Sequence, residues 1–309
     1  MDRFHVSATG RAVNYLPEYV ACELGYFRDV DLDVTAEVPQ PWTKVLDHIN
    51  ADSAQAALGG VWVPLMYRAR VRDYFAFAQV SGRCPMAVVY RTSGHSFQWD
   101  SLYDKVVLVT GGNGSSPFLY LSGLLHSAGV DAARIRFVHD LSTPMLAELF
   151  VGGMGDALVV DVVTAERVTR SHKGVGYLSF AEAGSPVPWS VYYSVPELLN
   201  RGDDLAGRFA AGLARGMAWV QDHDGDDARD VVRKCWPDAD PGLVVDVINL
   251  FRRHGMWDRG ARIGEDALLG WQEVIARGGF IDKPTAYEEI VDPRPFASAR
   301  RRLDGPRAE

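Results

Sequence analysis

Phe4-His5-Val6-Ser7-Ala8-Thr9, then Leu16-Pro17-Glu18-Tyr19-Val20-Ala21-Cys22-Glu23-Leu24-Gly25-Tyr26-Phe27, then Leu32-Asp33-Val34-Thr35-Ala36-Glu37-Val38 reads as strand, helix, strand. The first segment is rich in Val and Phe. The second carries proline in its first turn, where a helix tolerates it. The third alternates apolar and polar residues, the period of a half-buried strand. The same alternation continues with a helix at 43–50, a short strand at 55–58, a helix at 61–71 and a strand at 75–80.

A polar stretch at 92–104 separates this series from a second one. Residues 106–110 form a continuous apolar run, which suits a parallel strand covered on both faces. The loop Gly111-Gly112-Asn113-Gly114-Ser115-Ser116 follows, then helices at 117–128, 144–150 and 162–170 between strands at 135–138, 157–160 and 176–180. Residues 190–195 read as a return strand, and beyond it the chain is helical at 203–223, 228–236, 241–251 and 265–277. The Pro/Arg-rich tail from Asp292 is expected to fray. The chain passes between the two series near 84–92 and again near 184–190. The predicted fold is therefore α/β with two lobes and a hinge: residues 1–88 plus 187–309 in the first lobe, 89–186 in the second, with a C-terminal helical portion. A cleft between such lobes is the default ligand site.

Composition bounds the function. The 309 residues are 47% hydrophobic and 23% charged, which excludes a disordered chain. The net charge of −8 argues against nucleic acid as a partner. Only five of the 32 basic residues are lysine, an arginine bias that carries no functional reading. No apolar run reaches the ~20 residues of a membrane span, so direct membrane insertion is not expected. The cysteines, Cys22, Cys84 and Cys235, lie far apart, and no spacing points to a metal. The chain opens Met1-Asp2-Arg3-Phe4 without the basic and apolar regions of a secretory signal. As written this places the protein in the cytoplasm, and outside it if the sequence is a trimmed mature form.

Leu16-Pro17-Glu18-Tyr19-Val20-Ala21, Leu24-Gly25-Tyr26-Phe27 and Asp31-Leu32-Asp33-Val34 together resemble the opening of a known family. It is the nitrate/sulfonate/taurine-type substrate-binding proteins with their thiamine-pyrimidine synthase and sulfinate desulfinase relatives. Asp31 stands where that family usually has glycine. Leu149-Phe150-Val151-Gly152-Gly153 with Gly155-Asp156-Ala157, and the segment from Trp271 to Ile281 with Pro284, are further echoes in the same order. The resemblance implies a type II periplasmic-binding-protein fold, two lobes closing over a small anion, sulfonate or aromatic compound, and an ABC-type permease as partner.

Candidate ligand contacts follow from position, because ligands of open α/β sheets sit beyond the carboxyl ends of strands. Arg11 offers a fork of donors to a carboxylate or sulfonate, or is simply exposed. Asn14 and Tyr15 follow it. Gly59, Gly60 and Trp62 close the third strand, either as ligand contacts or as a tight turn. Gly112, Asn113, Gly114, Ser115 and Ser116 form an anion cradle ahead of a helix, or a glycine turn with a serine cap. Trp42, Trp189, Tyr192 and Tyr193 are candidate aromatic walls or core, whereas Trp99, Trp219, Trp236, Trp257 and Trp271 read as packing. Arg83 reaches the ligand or pins the hinge. Asp161 accepts from a ligand N–H or caps the next helix.

The alternative function is a cytosolic enzyme on the same scaffold, cleaving a C–S or C–O bond, with Asp161, His139 or Cys84 as its acid, base or nucleophile. Positions resembling the enzymes count against it. Gly59 and Val63 stand where the thiamine-pyrimidine synthases need lysine and histidine, and 186–191 contains no cysteine. The desulfinase motif R-x-G-G is Ala57-Leu58-Gly59-Gly60 here, and its nucleophile falls near Gly10. A cytosolic metabolite sensor is a third reading. None of these calls for a cofactor.

Overall fold

The computed structural model describes residues 1–92, 96–111, 114–139 and 141–305. In chain order the first series is β1 (Asp2–Ala8), α1 (Leu16–Glu23), β2 (Leu32–Glu37), α2 (Lys44–Asn50), β3 (Ala56–Gly59), α3 (Trp62–Tyr67) and β4 (Phe75–Ser81). The second is β5 (Met86–Arg91), β6 (Val106–Val109), α4 (Ser116–Ser127), β7 (Arg136–Val138), α5 (Thr143–Val151), β8 (Ala157–Asp161), α6 (Val162–Ser171), β9 (Val175–Ser179) and α7 (Phe180–Ala183). Then come β10 (Ser190–Ser194), α8 (Pro196–Leu199), α9 (Leu205–Asp222), α10 (Arg229–Cys235), α11 (Pro241–Arg253), α12 (Glu265–Arg277) and α13 (Arg294–Asp304).

The strands form two five-stranded sheets, ordered β2-β1-β3-β10-β4 and β7-β6-β8-β5-β9. The two orders are the same pattern. Each has four strands running in one direction and one that runs antiparallel to its neighbours, β10 in the first and β5 in the second. Each antiparallel strand is the first one after the chain crosses between sheets. The carboxyl ends of β1, β3, β6 and β8 therefore converge on the space between two lobes. Residues 86–91, expected only as part of a crossing, are a strand of the second sheet. Pro85 hides its start, and Met86-Ala87-Val88-Val89 is buried on both faces, so it shows no alternation.

In the first lobe, Phe4, Phe27, Phe77, Tyr192 and Phe209 pack as one aromatic cluster, with Phe209 of α9 stacked on Phe4 and Phe27 at 4.4 and 5.0 Å. Gly216 lets α9 approach α1, since a Cβ there would lie 2.2 Å from the Pro17 carbonyl oxygen. Asp31 adopts φ 61°, the left-handed turn between α1 and β2. That conformation explains glycine at this place in the resembling family, and Asp tolerates it better than most side chains. Among the described residues of the tail, Arg294–Asp304 is not frayed but forms a helix lying against α9. Pro295 is in its first turn, where proline starts a helix rather than breaks one.

Candidate functional site

A cleft of about 540 Å³ opens between the two sheets, the size of a small-molecule site. The first lobe supplies Thr9, Arg11, Asn14 and Tyr15 after β1, Gly60 and Trp62 after β3, and Trp189 and Ser190 at the start of β10. The second supplies Thr110 after β6, Ser116 at the start of α4, Ser142 and Thr143 at the start of α5, and Asp161 and Arg167 at α6. A third wall is helical: Trp236 after α10, and Val244 and Phe251 of α11.

The polar groups of the first lobe are held by their neighbours. Asn14 Nδ2 donates to Ser81 Oγ at 2.7 Å and to Ser190 Oγ at 3.4 Å. Its carbonyl accepts from Trp257 Nε1 at 2.9 Å and from Ser81 Oγ at 3.1 Å. Burial raises the pKa of the Tyr15 hydroxyl, so it stays neutral at physiological pH. Arg11 is exposed to the cleft, with Nη1 donating to the Cys235 carbonyl at 3.3 Å.

In the second lobe α4, α5 and α6 all begin at the cleft. Ser115 and Ser142, the residues ahead of α4 and α5, make no side-chain cap hydrogen bond. The first N–H groups of those helices are thus not taken up by their caps, and the helix ends favour negative charge. Thr110 and Thr143 share a hydroxyl hydrogen bond of 2.7 Å. Asp161 is the single carboxylate among the described lining residues, and both its oxygens are engaged by α6: Oδ1 accepts from Thr164 N at 2.9 Å and Oδ2 from Thr164 Oγ1 at 2.7 Å. Arg11 and Arg167 face this space from opposite lobes. The described lining thus carries two arginines against one engaged carboxylate.

Of the residues expected from sequence, Arg11, Asn14, Tyr15, Gly60, Trp62, Ser116, Asp161 and Trp189 line the cleft. Gly114 and Ser115 flank it, and a Cβ on Gly114 would meet the Trp62 ring at 3.4 Å across the lobes. Gly112 and Asn113 lie outside the described residues. Five residues expected as ligand contacts do not line the cleft. Tyr192 is wholly buried, its hydroxyl donating to Glu18. Gly59 is inside β3, packed on Thr9. Trp42 stands behind Trp62, rings 6.3 Å apart, without reaching the cleft. Arg83 pins the crossing, donating to the Gly184 carbonyl at 2.6 Å. Tyr193 is likewise core.

Trp236, assigned to packing, is a cleft wall. Thr110, Ser142, Thr143, Arg167 and Ser190 were not singled out, although the carboxyl-end rule that selected Arg11 applies equally to β6 and β8. Of the enzyme candidates, Cys84 is fully buried and burial pushes its thiol well up, away from thiolate chemistry. His139 stacks near Phe118 and does not line the cleft.

Residues 12–226 match the family described as NMT1/THI5 like. The chain belongs to the NMT1/THI5-like family. Within reach of this family, it is 22% identical over 297 residues to "Putative binding protein YtlA" of Bacillus subtilis (strain 168), covering 94% of this chain and 88% of that one. Its fold is shared with the periplasmic aliphatic sulphonate binding protein SsuA of Escherichia coli, at a TM-score of 0.72 and 14% identity over 95% of this chain and 93% of that one. The periplasmic nitrate-binding protein NrtA of Synechocystis PCC 6803 aligns with a TM-score of 0.71 and 11% identity, over 99% and 90%. The two-lobed α/β architecture of this NMT1/THI5-like chain is that of the periplasmic binding proteins. No helix of the described residues is long and apolar enough to cross a membrane.

Proposed function

We propose that this protein is the ligand-binding component of an ABC-type importer and takes a small organic anion with a flat, apolar body. The observation that carries the reading is the pairing of Arg11 and Arg167 from opposite lobes over one cleft, whose single described carboxylate is already engaged. An anion held by both arginines gains contacts only when the lobes are together. Its binding therefore shifts the open–closed equilibrium toward closure. Trp62, Trp189 and Trp236 give the body of the ligand aromatic surfaces. SsuA, which binds aliphatic sulphonates, and NrtA, which binds nitrate, support the same class, and the relative YtlA supports a binding role. The partner is a membrane permease that accepts the closed form, and the place of action is the outer side of the cytoplasmic membrane.

The test is titration calorimetry with a panel of aliphatic and aromatic carboxylates and sulfonates beside their neutral amides and alcohols. The proposal expects an anion to bind one-to-one at micromolar or tighter Kd and to raise the melting temperature. Equal binding of the neutral counterparts, or turnover of a bound compound without retention, overturns it.

A further inference from the structure

α11 spans the two lobes. On the first-lobe side its last turn is fixed to α9: Arg252 Nε donates to the Val220 carbonyl at 2.8 Å and Nη2 to the Gln221 carbonyl at 3.1 Å. One turn earlier, Asn249 Oδ1 accepts from Gly225 N at 2.9 Å. Its inward face gives Val244 and Phe251 to the cleft. Its other neighbour is α6 of the second lobe, and there a single arginine gathers acids from both helices. Arg170 Nε donates to Glu166 Oε1 at 2.8 Å on its own helix. Arg170 Nη2 donates to Asp246 Oδ2 of α11 at 2.5 Å, and Nη1 lies 4.0 Å from Asp240 Oδ2. Asp240 caps α11 by accepting from Gly242 N at 2.9 Å, so its position is set independently of Arg170. At the far end of α11, His254 Nε2 stands 3.7 Å from Glu182 of α7.

Arg170 does not line the cleft; Arg167, on the same helix, does. One helix thus carries a residue facing the ligand space and, three positions on, a residue fastened to the opposite lobe. An opening motion that carries α6 away from α11 breaks the Asp246 and Asp240 contacts and leaves the Glu166 contact intact. Pairs that such a motion would break favour the arrangement of lobes that holds them.

We propose that Arg170, with Asp246 and Asp240, is an ionic fastener that holds the lobes closed and sets ligand affinity without touching the ligand. This rests on the ligand-binding reading given above. Because Arg170, Asp246 and Asp240 are exposed, the effect is modest and salt-sensitive. The expected change is about a two- to fivefold rise in Kd in Arg170→Gln, nearly all of it in the dissociation rate. Asp246→Asn gives a smaller rise of the same kind, and costs little more when Arg170→Gln is already present. Wild-type Kd weakens with added salt more steeply than that of Arg170→Gln, since the anion's own salt dependence is common to both.

The experiment measures the unliganded proteins first, by small-angle scattering and by hydrogen exchange of α11. Arg170→Gln and Asp246→Asn are expected to have a larger scattering radius than wild type and faster exchange in α11, at an unchanged far-ultraviolet spectrum. Stopped-flow binding with the tightest anion from the panel follows. An unchanged radius and exchange in both variants overturns the fastener, as do additive effects of the two substitutions on the dissociation rate. A panel in which wild type binds no anion defeats the ligand reading alone, because the unliganded scattering still decides on the fastener. Wild-type binding with unshifted variants defeats the fastener alone.

Discussion

Glu18 of α1 is 2% exposed, with the Tyr192 hydroxyl donating to its carboxyl group. Loss of hydration dominates over that hydrogen bond, and its pKa rises from 4.5 to about 7. The sign of the resulting pH dependence follows from proton linkage. Below about pH 4.5 the group is protonated in both folded and unfolded chains and imposes no penalty. Between 4.5 and about 7 the unfolded chain ionises while the folded one keeps its proton, so stability falls as pH rises. Above about 7 the folded form ionises as well and the loss levels off. The span is worth about 3 kcal/mol, from ~1.4 kcal/mol per pH unit.

Glu18→Gln removes the titration and keeps an oxygen for the Tyr192 hydroxyl. Its added N–H groups impose a constant offset of about 1–3 kcal/mol if they find no acceptor. The readout is therefore the change in the gap, measured by urea unfolding of both proteins from pH 4.5 to 8.5. All other carboxylates titrate alike in the two chains and cancel. The gap is expected to move by about 3 kcal/mol in favour of Glu18→Gln as pH rises. A gap that stays constant, or moves the other way, refutes the account of Glu18 as a neutral buried acid.

Three further outcomes are expected. Arg11→Ala lowers anion affinity at least tenfold by calorimetry and leaves the melting temperature of the unliganded protein within about 2 °C, because its one intramolecular hydrogen bond is exposed and 3.3 Å long. Gly60→Ala puts a Cβ 2.3 Å from Trp62 Cδ1 and 2.4 Å from Nε1; the indole must swing aside, so affinity falls and the tryptophan fluorescence maximum shifts, while the fold persists. In Gly216→Ala the clash is with backbone, 2.2 Å from the Pro17 oxygen, and α1 and α9 must part; denaturant unfolding should show a loss of about 1–3 kcal/mol.

The sequence disclosed the alternation of strands and helices because most strands are flanked by turn residues and most helices carry an apolar stripe. It concealed β5, since a strand buried on both faces lacks alternation and this one follows a proline directly. It misjudged the tail, where Pro293 and Pro295 mark a helix start. The site was half legible. Arg11, Trp62, Ser116 and Asp161 were found because β-strand carboxyl ends locate the cleft, and Arg167 was missed because it sits a full turn into α6. Trp236, Val244 and Phe251 were missed for a different reason. A helix face that lines a cleft is as apolar as one that lines a core, and only the fold tells them apart. Tyr192 failed in the opposite sense: strand alternation places it on one face of β10, but which face α9 covers depends on Phe209, far along the chain.

The most direct test of the central claim is native mass spectrometry of the protein purified gently from its own host, beside Arg11→Ala and Arg167→Ala purified in parallel. The account predicts one small organic anion bound per chain, retained in wild type and lost or depleted in both variants. A neutral adduct held equally by all three proteins would contradict a cleft that grips its ligand by charge from both lobes.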